Sequence, residues 1–207
     1  MKIRAALLLK APILGTVKTR LAASLGAEEA KRIYIQLVEW QLSQIPESWG
    51  IDIHFAPPTA QKQMEEWISP LRTQKISFFS QPEGDLGVRL SAALQNSFSQ
   101  GADQVALMGG DCPELTLDYL RNAGEQSISF DAVIAPALDG GYALLILNQY
   151  YPALFQNIPW STSTVFSDTK QVMNNLGLKV HDLAIVEDID DLESLHRSRH
   201  KNWRSIP

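Results

Sequence analysis

The sequence predicts one α/β domain, a three-layer α/β/α sandwich whose sheet is mostly parallel, and three observations predict it. Ile3–Leu9 is a continuous apolar run, as a strand covered on both faces must be. Short apolar runs alternate with helix-periodic segments along the whole chain, the pattern of a sheet with helices on both sides. The runs end in loops of Gly, Pro and Asp, and ligands of open α/β sheets bind at those carboxyl ends. With 207 residues the expectation is a single domain, 1–207. A domain of that size buries roughly 70% of its unfolded surface and needs no disulfide or metal to hold a core.

The elements follow in order. After the first strand comes a loop with Pro12 and Gly15, then a helix over Glu28–Gln44 with Ile33, Leu37, Val38, Trp40 and Leu42 at mostly helical spacing. Ile51–Ala56 is a strand stopped by Pro57-Pro58, Thr59–Ile68 a helix, and Ile76–Phe79 a short strand. Leu86–Ser99 is a helix closed by Gly101. The strand Val105–Met108 ends in Gly109-Gly110-Asp111-Cys112-Pro113, and a helix covers Leu115–Ser127. Ala132–Pro136 and Tyr142–Leu147 are strands joined by the turn Asp139-Gly140-Gly141. A helix over Thr164–Leu176, a strand over Lys179–Leu183 and a last helix over Asp190–His200 complete the chain.

The composition narrows the function. A net charge of −5 excludes a general binder of nucleic acid or membrane surface, since both need a broad basic field. Cys112 is the only cysteine, which rules out an intrachain disulfide and a cysteine-built zinc site. A reducing cytosol fits, so the expected location is cytoplasmic. Met1-Lys2-Ile3-Arg4 before an apolar run faintly resembles a signal peptide. Lys10 cuts that run short and no small-residue cleavage site follows, so the segment reads as a buried first strand. No other apolar stretch approaches the roughly 20 residues of a membrane span.

Five segments can carry chemistry, and each has a plainer reading beside it. The first loop, Lys10 to Leu21, has Gly15 for close backbone approach, and Lys18 and Arg20 to neutralise phosphate oxygens. It lacks the glycines of a Walker A loop and reads equally as a basic surface loop. Asp111, just past a buried strand, is either a hard-cation ligand or the cap of the following helix. Asp188 and Asp190 are two apart, so an extended segment points both to one face and makes a cation site. Asp190 with Glu193 is also a capping pair for the last helix. Asp139-Gly140-Gly141 is a hairpin turn that can line a pocket. Ser161 and Thr162 in Trp160-Ser161-Thr162-Ser163-Thr164 either cap a helix or bind an acceptor's anionic group. His196 and His200 have zinc-compatible spacing but no third ligand, and read as a solvated face.

As an ordered set, the first-loop Lys18-Thr19-Arg20-Leu21, Gly84-Asp85-Leu86-Gly87-Val88-Arg89-Leu90, Gly110-Asp111-Cys112-Pro113, Asp139-Gly140-Gly141-Tyr142, Trp160-Ser161-Thr162 and Asp188-Ile189-Asp190 resemble the DUF2064 family. Its members are described as radical-SAM/selenodomain-associated transferases and as arsenosugar-biosynthesis glycosyltransferases. The resemblance covers nearly the whole chain. It implies a GT-A, nucleotide-diphospho-sugar transferase fold, with a more distant similarity to guanylyltransferases of cofactor pathways. It also implies Lys18 and Arg20 on phosphates and Asp111, Asp188 and Asp190 on Mg²⁺ or Mn²⁺. Two positions depart from the pattern: Gly110-Asp111 stands where an Asp-x-Asp metal motif is usual, and Ala143 where a second tyrosine follows Asp-Gly-Gly-Tyr.

The expected function is transfer of a sugar from a nucleoside-diphosphate sugar to a small acceptor. The alternatives are a nucleotidyltransferase releasing pyrophosphate and a nucleotide-binding regulator without chemistry. The expected catalytic residues are Lys18, Arg20 and Asp111. Pro12, Gly15, Lys18, Thr19, Arg20 and Gly110 are expected at the nucleotide, and Asp139, Gly140, Gly141, Ser161 and Thr162 at the acceptor.

Overall fold

The structure, a computed structural model, describes residues 1–198 and 202–205. Its strands are β1 (Ile3–Lys10), β2 (Gly50–Ala56), β3 (Ile76–Ser80), β4 (Gln104–Met108), β5 (Ala132–Pro136), β6 (Tyr142–Leu147) and β7 (Val180–Asp182). They form one sheet in the order β3-β2-β1-β4-β6-β5-β7. β1 runs parallel to both β2 and β4, β2 to β3, and β5 to β7, while β6 lies antiparallel between β4 and β5. The apolar runs that begin β1 and make up β4 are therefore interior strands.

The helices are α1 (Thr19–Leu25), α2 (Ala27–Gln44), α3 (Gln61–Ile68), α4 (Leu86–Ser99), α5 (Leu117–Gln126), α6 (Val165–Asn175) and α7 (Leu192–Arg197). Strand side chains alternate between faces, and the core divides accordingly. Ile3, Ala5, Leu7 and Leu9 of β1 pack with Val38 of α2, Met64 of α3 and Leu120 of α5. Ala6 faces the other side, with Leu90 and Leu94 of α4 and Met173 of α6. A third apolar cluster lies on the far side of α2, where Ile33 and Leu37 meet Leu21 of α1, Ile189, Leu195 of α7 and Trp203. α2 is thus buried along two stripes, one towards the sheet and one towards the end of the chain. Among the described residues no helix is long and apolar enough to cross a membrane.

Arg4 belongs to this core. It lies beside β2 and its Nε donates to Asp52 Oδ2 at 2.7 Å, in a pair whose aspartate is fully buried. A charge so placed needs its partner, which explains a basic residue inside an apolar run.

Several sequence readings need correction. The helix expected from Leu115 starts at Leu117, and its cap is Thr116, whose hydroxyl accepts from Tyr119 N. Asp111 therefore caps nothing. The last helix is shorter than Asp190–His200, and its cap is Asp191, paired reciprocally with Ser194. Asp190 is left free of that duty, because the extended chain runs one residue further than the Asp190/Glu193 reading supposed. Thr164 at the start of α6 makes no side-chain cap, while the Thr162 hydroxyl before it accepts from Thr164 N at 3.4 Å and donates to Pro159 O at 2.7 Å. The helix α1 was not expected. His200 lies outside the described residues, and with it the His196/His200 pair.

His54 on β2 is almost completely buried, stacked on Phe79 with ring centroids 5.1 Å apart, and its Nε2 has no hydrogen-bond partner. Burial pushes its pKa down to about 4, against a smaller upward pull from Asp52. The imidazole is neutral in the folded chain, whereas the unfolded chain protonates it near pH 6.5. Between those values the unfolded state binds the extra proton, so stability falls as pH drops, by up to about 1.4 kcal/mol per pH unit from this group. Urea melts of wild type and His54→Leu between pH 7 and pH 4.5 should show a shallower acid loss in the variant. Equal slopes would place the titration elsewhere.

A candidate cation and nucleotide site

The site is built where three chain segments meet at the carboxyl ends of β1 and β4. The first is the loop after β1. Tyr34 of α2 fixes its start: the phenol accepts from Lys10 N at 2.9 Å and donates to Lys10 O at 2.8 Å. Val17 is buried in the main core and Leu21 in the third cluster, and the chain turns between them at Lys18. That turn puts Lys18 in the left-handed region, at φ 46° and ψ 50°, where a side-chain-bearing residue is strained by about 1–2 kcal/mol.

The second segment is the turn after β4, which carries Asp111. The third is the stretch 187–190. Ile189 N donates to Asp111 O at 2.9 Å, Glu187 N to Glu114 Oε2 at 3.1 Å, and the Cys112 thiol to Glu187 O at 3.4 Å. Ile189 is buried in the third cluster at 1% exposure. In an extended segment its neighbours in sequence must point the other way, and Asp188 and Asp190 do. One oxygen from each of Asp111, Asp188 and Asp190 lies within 4.8 Å of the others. The spacing read from Asp188 and Asp190 and the distant Asp111 are thus brought to one point.

Such a cluster of carboxylates repels itself, and Lys18 offsets the repulsion. Its ammonium lies 2.9 Å from Asp111 Oδ2 and 2.7 Å from Asp190 Oδ1, and its side chain is only 6% exposed. Burial disfavours the charged form of Lys18, but the two carboxylates more than reverse this, and its pKa is raised well above that of a free lysine. Asp188 goes the opposite way for a carboxylate. Burial first, then Asp111, Asp190 and Asp139, push it up to about 7, with Lys18 pulling it down. Arg20 is exposed, with its guanidinium 3.9 Å from Asp190 Oδ2. Cys112 is buried and its thiol pKa is raised well up, chiefly by burial. It behaves as core and not as a nucleophile.

Two pockets flank the acidic triad and share Leu8 and Asp111. The first holds about 280 Å³ and is lined by Lys10, Thr16, Lys18, Thr19, Arg20 and Tyr34, with Asp111 and Asp190. The second holds about 350 Å³. Its walls include Leu86, Met108, Tyr142 and Trp160, and its polar lining comes from Asp111, Asp139, Asp188, Ser161 and Thr162. Two glycines make the second pocket possible by close approach. At Gly87 a side chain would strike Trp160 Nε1, at 2.6 Å from its Cβ. At Gly140, with φ +90°, it would strike the Ser163 carbonyl, and Phe166 N donates to Gly140 O at 2.9 Å, which ties the start of α6 to the β5–β6 hairpin.

Of the expected residues, Lys18, Thr19 and Arg20 line the first pocket, and Asp139, Gly141, Ser161 and Thr162 the second. Pro12, Gly15, Gly110 and Gly140 line neither. Gly110 instead makes room for Leu9 and Val38, whose side chains a Cβ would approach to 2.7 and 2.8 Å. Lys18 is tied to carboxylates within the protein. Lys10, Tyr34 and Tyr142 were not singled out as site residues from the sequence. Lys10 sits at the end of a predicted strand, the place where ligand-facing residues gather, and that was the available signal. Tyr34 lies on a stripe that reads as core.

Residues 42–162 match the family described as "Uncharacterized protein conserved in bacteria (DUF2064)". The chain belongs to the DUF2064 family. A structure from Desulfovibrio desulfuricans, provisionally named a nucleotide-diphospho-sugar transferase, is 28% identical to this DUF2064 chain. The match covers 99% of this chain and 91% of that one, with a TM-score of 0.88. The 4-diphosphocytidyl-2C-methyl-D-erythritol synthase of Anaerococcus prevotii shares the fold at 11% identity, with a TM-score of 0.63 over 95% of this chain and 96% of that one. A Mycobacterium tuberculosis protein crystallised in complex with manganese does so at 13% identity, with a TM-score of 0.51 over 95% and 97%. No curated protein matches the sequence. The fold of this DUF2064 member is that of the nucleotide-diphospho-sugar transferases, and by the first of these likenesses it is a transferase.

The raised pKa of Asp188 sets a test of the triad. Below about pH 7 its carboxyl holds a proton that a cation must displace, so affinity for Mn²⁺ should rise with pH, by up to about tenfold per unit, and level off above pH 7.5. Calorimetric titration of Mn²⁺ from pH 5.5 to 8 measures this. In Asp188→Asn the binding should be weaker and the slope shallower. A pH-independent affinity in the wild type would remove Asp188 from the site.

Proposed function

We propose that this protein is a metal-dependent transferase that takes a nucleoside-diphosphate sugar and passes the sugar to a small acceptor. The observation that carries the reading is the acidic triad at the seam of two pockets, one basic and one without a basic side chain. Lys10 and Arg20 in the first pocket suit the donor's phosphates, since charge-assisted hydrogen bonds are the strong ones. The three carboxylates suit a hard divalent cation, which takes oxygen ligands at about 2.0–2.6 Å, and would hold it there. The manganese bound by the mycobacterial neighbour supports that choice of ion. When bound, Mg²⁺ or Mn²⁺ supplies charge stabilisation to the departing diphosphate.

The protein's own residues do the rest. Lys18 holds Asp111 and Asp190 in place through Asp111 Oδ2 and Asp190 Oδ1, and the three carboxylates together would hold the cation. The second pocket holds the sugar and the acceptor hydroxyl in contact. The bond from the anomeric carbon to the diphosphate oxygen breaks, and a bond to the acceptor oxygen forms. The acceptor proton passes to Asp139, the carboxylate of that pocket outside the triad. Asp139 Oδ1 is fixed by the Gly141 amide at 2.8 Å, which leaves Oδ2 for the proton.

Incubation with nucleotide sugars and nucleoside triphosphates, with Mg²⁺ or Mn²⁺ and read by mass spectrometry, tests the reading. Release of a nucleoside diphosphate is expected. Release of pyrophosphate would replace the proposal with nucleotidyl transfer, and tight binding without turnover of any pair with a range of acceptor alcohols would favour the regulator. Asp139→Asn keeps the turn's hydrogen bond but removes the base. It should lower kcat by about 10²-fold, in the usual range for a general base, with donor affinity unchanged. Asp111→Asn should lose metal binding and activity together.

A further inference from the structure

The second pocket offers few hydrogen bonds. Among the described residues, no Lys, Arg, His, Asn or Gln lines it. The Tyr142 hydroxyl is shielded from water, so Tyr142 adds no polar group to the cavity. The Thr162 hydroxyl is already engaged, donating to Pro159 O and lying 3.0 Å from the Thr164 hydroxyl. Asp111 and Asp188 belong to the triad, and Asp139 Oδ1 accepts from Gly141 N. The side-chain groups that remain are the Ser161 hydroxyl and Asp139 Oδ2, which the proposed transfer needs for the sugar and for the acceptor's proton. No polar side chain is left for the body of the acceptor, and a hydroxyl or charge buried there without a partner is costly.

The rest of the wall is apolar. Leu86 and Leu90 of α4, Trp160, and Val165 of α6 belong to it. The first turn of α4 lies against Trp160, since a Cβ on Gly87 would come within 2.6 Å of Trp160 Nε1. This wall continues to the surface, because Leu86 lines the pocket and is also 42% exposed. Val88, in the same helical turn, is exposed as well, and so is Leu138, which stands between the lining residues Ala137 and Asp139. A single exposed apolar side chain is ordinary. Leu86 differs because it joins an apolar cavity to open surface, an arrangement suited to an apolar ligand that enters from outside.

We infer that the acceptor is an alcohol on an aliphatic body, whose chain lies along Leu86, Leu90, Trp160 and Val165 and whose hydroxyl reaches Asp139. The inference deepens the transferase reading and rests on it for the roles of sugar, hydroxyl and base. It replaces the expectation of an anionic group at Ser161 and Thr162, which no basic side chain of this pocket would hold. Leu86 is the specificity residue: it extends the apolar wall to the mouth and so rewards chain length. Each methylene buried there adds affinity, whereas a polyol body would lose the hydrogen bonds it makes in water.

The full chain is labelled with 5-fluorotryptophan and loaded with Mg²⁺, and its Trp160 fluorine signal is assigned by Trp160→Phe. 1-Butanol, 1-hexanol, 1-octanol and glycerol are then titrated without donor. Affinity read at Trp160 should rise about tenfold from each of the three alcohols to the next longer, two methylenes apart. Glycerol should bind more weakly than 1-butanol. Leu86→Ser should cut the step from 1-hexanol to 1-octanol to about threefold or less, and the fold tolerates it because the side chain is half-exposed. Leu176→Ser removes a similarly exposed leucine at the far end of α6 and should leave the series unchanged. Affinity independent of chain length, glycerol binding as tightly as 1-octanol, or an unchanged series in Leu86→Ser would each overturn the inference. The titration involves no turnover, so a flat series beside working transfer strikes this inference alone, and a rising series beside failed transfer strikes the transferase reading.

Discussion

One backbone hydrogen bond and one buried side chain hold the site together. Ile189 sinks into the apolar cluster behind α2, and its amide reaches the Asp111 carbonyl at the end of β4. Everything acidic in the site follows from that anchor. The extended geometry on either side of Ile189 throws Asp188 and Asp190 towards Asp111, and three like charges converge that would otherwise separate. Such a cluster stands only because burial of Ile189, Leu195 and Trp203 holds the backbone there and Lys18 is folded inward against two of the carboxylates. The left-handed turn at Lys18 is the local cost of that arrangement.

The sheet sets what the cluster faces. Four parallel strands, β3-β2-β1-β4, end on the side where the basic loop leaves β1. The antiparallel strand β6 then brings the Asp139-Gly140-Gly141 hairpin and the Trp160–Thr164 segment to the other side of Asp111. Asp111 therefore belongs to both pockets. A parallel strand in the place of β6 would have carried the hairpin to the opposite edge of the sheet. The antiparallel insertion is what places two pockets beside Asp111 where a parallel sheet usually has a single crevice.

Much of this was legible in the sequence, and the reasons are physical. Strands buried on both faces must be apolar throughout, so β1 and β4 announce themselves. A two-residue spacing of carboxylates means one face only in extended chain, so Asp188 and Asp190 carry their geometry in the sequence. The misreadings came where two local signals competed. Asp190 and Asp191 are both good caps, and only the tertiary pull of Ile189 decides that the second of them caps α7. Gly110 looked like a phosphate-approach glycine, but the side chains that crowd it, Leu9 and Val38, are distant in sequence. The inward turn of Lys18 and the unpaired hydroxyl of Tyr142 leave no periodic trace, because they are properties of a packed environment and not of a pattern. The third cluster was hidden for a similar reason: α2 shows one helical stripe strongly, and the second is recognisable only once α1 and Trp203 are seen against it.

The central claim is that the Ile189 anchor assembles one divalent-cation site from Asp111, Asp188 and Asp190. Anomalous scattering at the manganese edge, from crystals grown with Mn²⁺, tests it most directly. The account predicts one strong peak within about 2.0–2.6 Å of an oxygen from each of the three carboxylates, the range for hard cations. A peak bound by other residues, or none beside Asp111 in crystals that hold manganese elsewhere, would contradict it.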